Sequence, residues 1–144
     1  MSAPHYLLDT ALCVEIVRHR PRALLERAEH VRAGDAALSV LGWGLLQHAA
    51  SSGRRRLAAL PLLEEFAGLV PILPLPPEAA SAYRELRMRS AAGARLAPGE
   101  RPRASNHAVW LMAHARAAGL VLVTHDARRF PPAPGLRLEC WSRR

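Results

Sequence analysis

The chain has 144 residues, of which half are hydrophobic and 22% are charged, so it is typical of one globular domain and unlike a disordered tail. No apolar run approaches the roughly 20 residues of a membrane-spanning helix, and the N-terminus lacks a secretory signal pattern. Two separate cysteines, Cys13 and Cys140, favour a reduced, cytoplasmic protein and give no zinc signature. The formal charge is +8, carried by arginine without any lysine. Contact with phosphate or with an acidic protein is one interpretation of this charge, and compositional bias is the other.

Strands and helices alternate through the first half of the chain. A short buried strand is predicted at 6–9, followed by a helix over 12–18 and a second helix from Pro21 that Gly34 ends. A second strand is predicted at 36–40. The helices that follow it are expected around Leu45, ending near 51–53, and over 57–67 with Leu60, Leu63 and Phe66 facing inward.

The second half continues the alternation. The apolar run 70–75 contains two prolines, which predicts a sheet edge, and a helix follows over 78–89. Residues 91–103 look irregular, whereas Ser105 or Asn106 can cap a helix that Gly119 ends. Strands are predicted at 120–124 and 136–140. We therefore expect one α/β domain over 1–144, with a mainly parallel sheet covered by helices on both faces.

Two of the predicted strands end in the same way. LLDT at 7–10 and LVLVTHD at 120–126 are apolar runs that end in threonine and aspartate. The carboxyl ends of parallel strands form the crevice where ligands bind, so Asp9 and Asp126 are expected to face each other there. Two carboxylates in such a crevice can hold a divalent cation for phosphate chemistry. Thr10 and Thr124 would either orient the aspartates or simply cap the strand ends.

Six motifs extend this pattern over nearly the whole chain. They are YLLDT at 6–10, ALSV at 37–40, VPILPL at 70–75, WLMAHA at 110–115, LVTHDARRF at 122–130 and PGLRLECW at 134–141. In this order they resemble the PIN-domain family, and within it the VapC-type toxins of type II toxin–antitoxin pairs. Each motif alone is weak, but six in the right order are specific. The resemblance implies a three-layer α/β/α sandwich around a small, mainly parallel sheet.

The resemblance also implies a Mg²⁺- or Mn²⁺-dependent endoribonuclease with three or four clustered carboxylates, because Mg²⁺ prefers oxygen ligands that it shares with substrate phosphate. Asp9 and Asp126 match the first and fourth acidic positions. The family's glutamate, six positions after a serine matched by Ser39, falls on Leu45. Its third aspartate, three residues before the position of Leu111, falls on Ala108. Two of the four expected carboxylates are therefore apolar.

Other departures also reduce negative charge or polarity around the same site. Ala11 stands in the usual place of an asparagine, and Arg129 stands where a second acid often precedes Phe130. With Asp9 and Asp126 as the remaining catalytic and metal-binding residues, the sequence predicts weak binding of Mg²⁺ or Mn²⁺ and weak or absent ribonuclease activity.

Three residues near these positions in sequence, Glu100, His107 and His125, are candidates for compensating ligands. Glu100 precedes the capped helix, in a loop that could bring its carboxylate to the crevice. His107 is adjacent to Ala108 but roughly 100° away around the helix axis, and His125 precedes Asp126. Imidazole prefers softer metals than Mg²⁺, so both histidines are expected to be solvated or hydrogen-bonded. His114 matches a family helix position and is expected to be structural.

The preferred hypothesis is a VapC-like toxin homologue that binds RNA and an antitoxin through a degraded nuclease centre. The resemblance implies a homodimer and a VapB-like antitoxin as partner. The main alternative is an active Mg²⁺- or Mn²⁺-dependent endoribonuclease that cuts tRNA or another structured RNA. A third is a non-catalytic binding module. Trp43 and Trp110 lie in apolar helical patterns and are expected in the core or a dimer contact.

Overall fold

A five-stranded sheet forms the centre of the molecule in the computed structural model, which describes residues 3–19, 22–31, 34–52, 56–92 and 104–141. All pairings between the described strands are parallel, and their order across the sheet is β3-β2-β1-β4-β5. The strands are β1 (Tyr6–Leu8), β2 (Ala36–Ser39), β3 (Ile72–Leu73), β4 (Val121–Thr124) and β5 (Arg137–Cys140).

Helices connect these strands and cover both faces of the sheet. They are α1 (Thr10–His19), α2 (Arg22–Glu29), α3 (Val40–Ser51), α4 (Arg56–Leu69), α5 (Ala79–Ala92) and α6 (Asn106–Ala118). Side chains alternate between the two faces of a strand, and β1 shows this directly. Leu7 packs into a core with α5 and α6, whereas Leu8 packs into a second core with α1, α2, α3 and α4. The predicted three-layer α/β/α architecture is confirmed.

Local signals account for several of the element boundaries. Ser105 is the N-cap of α6, with its hydroxyl accepting from the Ala108 N–H at 3.1 Å. Gly119 ends the same helix with φ of +68°, a conformation that glycine adopts without steric cost. The proline-containing run 70–75 contributes only β3 at one edge of the sheet, as predicted. Glu100, the segment 93–103 and the Leu60 side chain lie outside the described residues.

Both strands that end in aspartate lie at the middle of the sheet. Leu7 of β1 is in register with Ala37 of β2 on one side and with Leu122 of β4 on the other. Because β1 and β4 are neighbouring parallel strands, Asp9 and the segment that starts at His125 both lie at the carboxyl ends of the strands, on the same side of the sheet. Within the described residues, no helix is both long and apolar enough to cross a membrane.

The two cysteines differ sharply in environment. Cys13 is fully buried on α1, and desolvation, assisted by the nearby Asp9 carboxylate, raises the pKa of its thiol well above its usual range. Cys140 is exposed on β5. Since the thiolate is the nucleophile, a thiol held neutral inside the core is inert.

Alkylation of the native protein with iodoacetamide is therefore expected to modify Cys140 and to spare Cys13 until the protein is unfolded. Mass spectrometry of the intact protein in buffer and in denaturant measures both. A Cys140→Ser variant is the control and should take up no label in the native state. Equal labelling of the two thiols in buffer would contradict the buried position of Cys13.

Candidate nucleic-acid site with a neutralised acidic crevice

Asp9 lies directly after β1, and its side chain is completely buried. One oxygen, Oδ2, accepts a hydrogen bond from Nη1 of Arg129 at 2.7 Å and another from the Thr124 hydroxyl at 2.9 Å. The other oxygen, Oδ1, faces the Ala11 N–H at 3.4 Å, in the first turn of α1. A buried carboxylate requires a partner of opposite charge, and Arg129 supplies it within the same chain.

Thr124, at the end of β4, connects the two aspartates. Its hydroxyl donates to Asp9 and accepts from the backbone N–H of Asp126 at 3.1 Å. Thr124 therefore joins the Asp9 carboxylate to the backbone of Asp126 at the end of β4. Thr10 behaves differently, because its hydroxyl is paired with Nε2 of His107 at 2.9 Å and not with the carboxylate of Asp9 or Asp126.

Asp126 is engaged by another arginine. Its carboxylate accepts from Nε of Arg128 at 3.0 Å and from the Arg128 backbone N–H at 3.3 Å, so it caps the single 3-10 turn over Ala127–Arg129. The side-chain hydrogen bond from Arg128 is the largest influence that holds the pKa of Asp126 below its usual value. The Arg128 side chain is 91% exposed, so solvent screens this pair and it adds little to stability.

The two apolar positions cannot supply a missing ligand. Leu45 lies on α3 with 46% of its surface exposed, and its side chain carries no oxygen. Ala108 lies in the first turn of α6 and is almost completely buried. The sequence had singled out both positions as degenerate acidic positions.

His107 lies beside Asp9 and Arg129. Burial lowers its pKa, the Asp9 carboxylate opposes that shift, and the Arg129 guanidinium adds to it. Its partner Thr10 occupies the space beside Gly42 of α3, where an added Cβ would lie 2.6 Å from the Thr10 hydroxyl oxygen. A side chain at position 42 would therefore force Thr10 to move. Nothing in the sequence around Gly42 connects it with Thr10.

Two other histidines that the sequence analysis named have defined environments. His114 is buried on α6, and its Nδ1 lies 2.9 Å from the Ser39 hydroxyl, which fits the expected structural role. Burial lowers the pKa of His114. In His125, the Nδ1 atom is buried and has no hydrogen-bond partner. Neither ring points to a set of metal ligands.

The side chains at this edge of the sheet do not fit a resident Mg²⁺ or Mn²⁺ ion. Such an ion prefers several oxygen ligands, usually including carboxylates. Here, each aspartate already forms an ion pair with a separate arginine. In the part of the chain that the structure describes, no three His, Cys, Asp or Glu side chains are grouped closely enough to hold a metal. The formal charges of Asp9, Asp126, Arg128 and Arg129 sum to zero.

Arg129 is the residue whose role sequence reasoning missed. An arginine in place of an acid before Phe130 is visible in the sequence, but its reach to Asp9 is not. A cation at a position where an acid is expected was the available signal. The contact itself depends on the path of the 3-10 turn back over the end of β1.

The chain belongs to the PIN-domain family, whose model matches residues 6–134. Among curated proteins it is similar to "tRNA(fMet)-specific endonuclease VapC" of Shigella flexneri, with 28% identity over 95% of this chain and 98% of the relative. It is also similar to "Ribonuclease VapC2" of Haemophilus influenzae, with 26% identity over 94% and 97% of the two chains. The resemblance to VapC-type toxins that the motifs indicated is confirmed.

Solved structures share the fold. The chain superposes with a TM-score of 0.81 on the toxin–antitoxin complex VapBC2 from Rickettsia felis, bound to a promoter DNA fragment, with 24% identity over 94% of this chain and 98% of that one. The DNA-bound VapBC of Salmonella typhimurium gives a TM-score of 0.80, with 24% identity over 96% and 98% of the two chains.

Proposed function

We propose that this protein is a VapC-like PIN-domain toxin homologue that binds RNA and a VapB-like antitoxin, and whose ribonuclease centre is weak or inactive. Mg²⁺ or Mn²⁺ binds weakly in this proposal. In this proposal the protein is cytoplasmic, which its two separate cysteines favour, and it forms a homodimer, as the resemblance to the family implies.

The Asp9–Arg129 ion pair is the observation that carries the proposal. Metal-dependent cleavage needs an ion that activates water and stabilises the charge developing on the phosphate. In this chain the central carboxylate is bonded to a guanidinium, and Leu45 and Ala108 provide no replacement oxygens. A guanidinium stays protonated and cannot generate hydroxide.

The proposed partners follow from chemistry and from the relatives. The net charge of +8, carried by arginines whose planar forks match phosphate oxygens, supports contact with RNA. The Shigella flexneri relative is named for its tRNA substrate, and the similar solved structures are toxin–antitoxin complexes, which supports an antitoxin as the protein partner.

The test is cleavage of a labelled tRNA pool, enriched in initiator tRNA, in Mg²⁺ and in Mn²⁺. We expect the protein to release no more product than its Asp9→Asn variant, because the site lacks metal ligands. The Shigella flexneri relative, assayed in parallel, shows that substrate and buffer support cleavage.

Strong metal-dependent cleavage that Asp9→Asn abolishes would overturn the proposal and would favour the active endoribonuclease. Binding of the tRNA without cleavage, measured by fluorescence anisotropy on the same samples, is the expected companion result.

A further inference from the structure

We propose that Arg129 takes the place of the divalent cation and makes this crevice a metal-independent binding site for an RNA phosphate. The inference rests on the proposed function, since it names the group through which RNA would be held. In a metal-dependent nuclease, the ion bridges a protein carboxylate and a substrate phosphate. Arg129 already forms the carboxylate half of such a bridge.

Arg129 is held in position on several sides. Its backbone N–H donates to the Asp126 carbonyl at 3.2 Å in the 3-10 turn, and its guanidinium carbon lies 5.4 Å from the centre of the buried Phe130 ring. The bond from Nη1 to Asp9 fixes the far end of the side chain. A guanidinium restrained in this way loses little further freedom when it binds a ligand.

Donors on the same guanidinium remain available. Of its several N–H groups, those not directed at Asp9 have no partner among the described residues, and 32% of the side chain is exposed. Arginine binds phosphate through parallel N–H donors, and such charge-assisted bonds are stronger than neutral ones. The side chain can therefore contact the buried carboxylate and a solvent-side phosphate at the same time.

The surroundings are compatible with an anion. Leu45 and Ala108, which match two of the family's acidic positions, bring no negative charge that would repel a phosphate, and the charge of Asp126 is offset by Arg128. An arginine lacks the open coordination positions of a metal ion, so the same geometry that binds phosphate does not activate water. If Arg129 replaces the metal ion, the crevice binds the RNA phosphate but does not cleave the RNA.

The experiment measures the affinity of the purified full-length protein for fluorescein-labelled initiator tRNA, by anisotropy, in EDTA and in Mg²⁺. We expect unchanged affinity in EDTA and a loss of about tenfold or more in Arg129→Gln, as for removal of a hydrogen-bonded charge. The slope of log affinity against log salt should fall by about one in that variant.

Arg137→Gln is the matched control. Arg137 is exposed at the amino end of β5, where it donates a hydrogen bond to the Gly119 carbonyl. Its replacement removes the same charge as Arg129→Gln, but at the amino ends of the strands, far from the crevice at their carboxyl ends. Arg137→Gln should change the affinity for tRNA less than about threefold, because Arg137 acts on the RNA only through the overall electrostatic field of the protein. Arg129→Lys should recover part of the affinity lost in Arg129→Gln, since it keeps the charge but not the fork.

Arg129→Gln leaves the buried Asp9 carboxylate without its cation and can destabilise the fold. The double variant Asp9→Asn/Arg129→Gln removes both charges together, and thermal melting verifies that it is folded. It should bind tRNA as weakly as Arg129→Gln, whereas Asp9→Asn alone should still bind in EDTA.

Outcomes separate this inference from the proposed function. If Arg129→Gln and the double variant bind tRNA as tightly as the unmodified protein, the phosphate site is refuted while RNA binding without cleavage stands. Affinity that disappears in EDTA also refutes it. If the unmodified protein binds no tRNA, the RNA-binding part of the proposed function fails and the inference fails with it.

Discussion

The triple variant Leu45→Glu, Ala108→Asp, Arg129→Glu is expected to bind Mn²⁺ at least about 100-fold more tightly than the unmodified protein. Each added carboxylate within about 4 Å of the ion contributes more than the roughly 1.4 kcal/mol that corresponds to tenfold in affinity. Removing Arg129 releases Asp9 for the ion. Isothermal titration calorimetry measures the change.

The two helical positions differ in environment, because Leu45 is half-exposed whereas Ala108 is almost completely buried and an aspartate there needs the ion or a backbone N–H group as a partner. Leu45 is half-exposed, so a charged side chain there is solvated. Ala108 is the third residue of α6, close to the N–H groups of the first turn, where a carboxylate complements the helix dipole. The matched control is Leu45→Gln, Ala108→Asn, Arg129→Gln, which has similar side-chain sizes and no added charge and should not bind Mn²⁺ more tightly than the unmodified protein.

A further variant isolates the contribution of Arg129. Leu45→Glu with Ala108→Asp, while Arg129 is retained, should bind Mn²⁺ more weakly than the triple variant. If it binds equally tightly, Arg129 is no obstacle to the metal. If the triple variant gains no affinity, Leu45 and Ala108 are not the positions of the missing ligands.

The second large effect concerns stability. Leu122→Ala should lower the free energy of unfolding by about 2–5 kcal/mol, because it leaves a cavity in the core between β4 and helices α5 and α6. Leu122 is completely buried, and its strand is paired on both sides. Urea unfolding followed by circular dichroism measures the loss.

Leu138→Ala is the matched control for this prediction. Leu138 is in register with Leu122 on the neighbouring strand β5, but 37% of its surface is exposed. The same truncation there removes less buried area and should cost less than about 1 kcal/mol. Similar losses in the two variants would mean that β5 is buried by a contact the isolated chain does not show, such as a dimer interface.

The strands and helices whose limits depend on residues close to them in sequence were predicted from the sequence. Apolar runs that end in threonine and aspartate marked β1 and β4, two prolines marked the edge position of β3, and Ser105 with Gly119 marked the limits of α6. These signals are local, since they arise from side-chain burial, the fixed φ of proline and hydrogen bonds within one helical turn. The parallel α/β fold follows from their alternation.

The residue types at the positions that match the family's four acids were also evident from sequence, because position-by-position comparison with the family motifs leads to Asp9, Leu45, Ala108 and Asp126. Their environment was not. The contact between Asp9 and Arg129 joins residues 120 apart, the one between Thr10 and His107 joins residues 97 apart, and Thr124 reaches Asp9 over 115 residues.

The sequence by itself thus determined the order of strands and helices and the family. Only the tertiary structure showed that Arg129 is the cation that forms an ion pair with Asp9. Whether a side chain reaches a partner across the sheet depends on the path of the backbone between strands and on which neighbours leave space, as Gly42 does for the Thr10 hydroxyl. That information is a property of packed elements and has no local pattern along the chain.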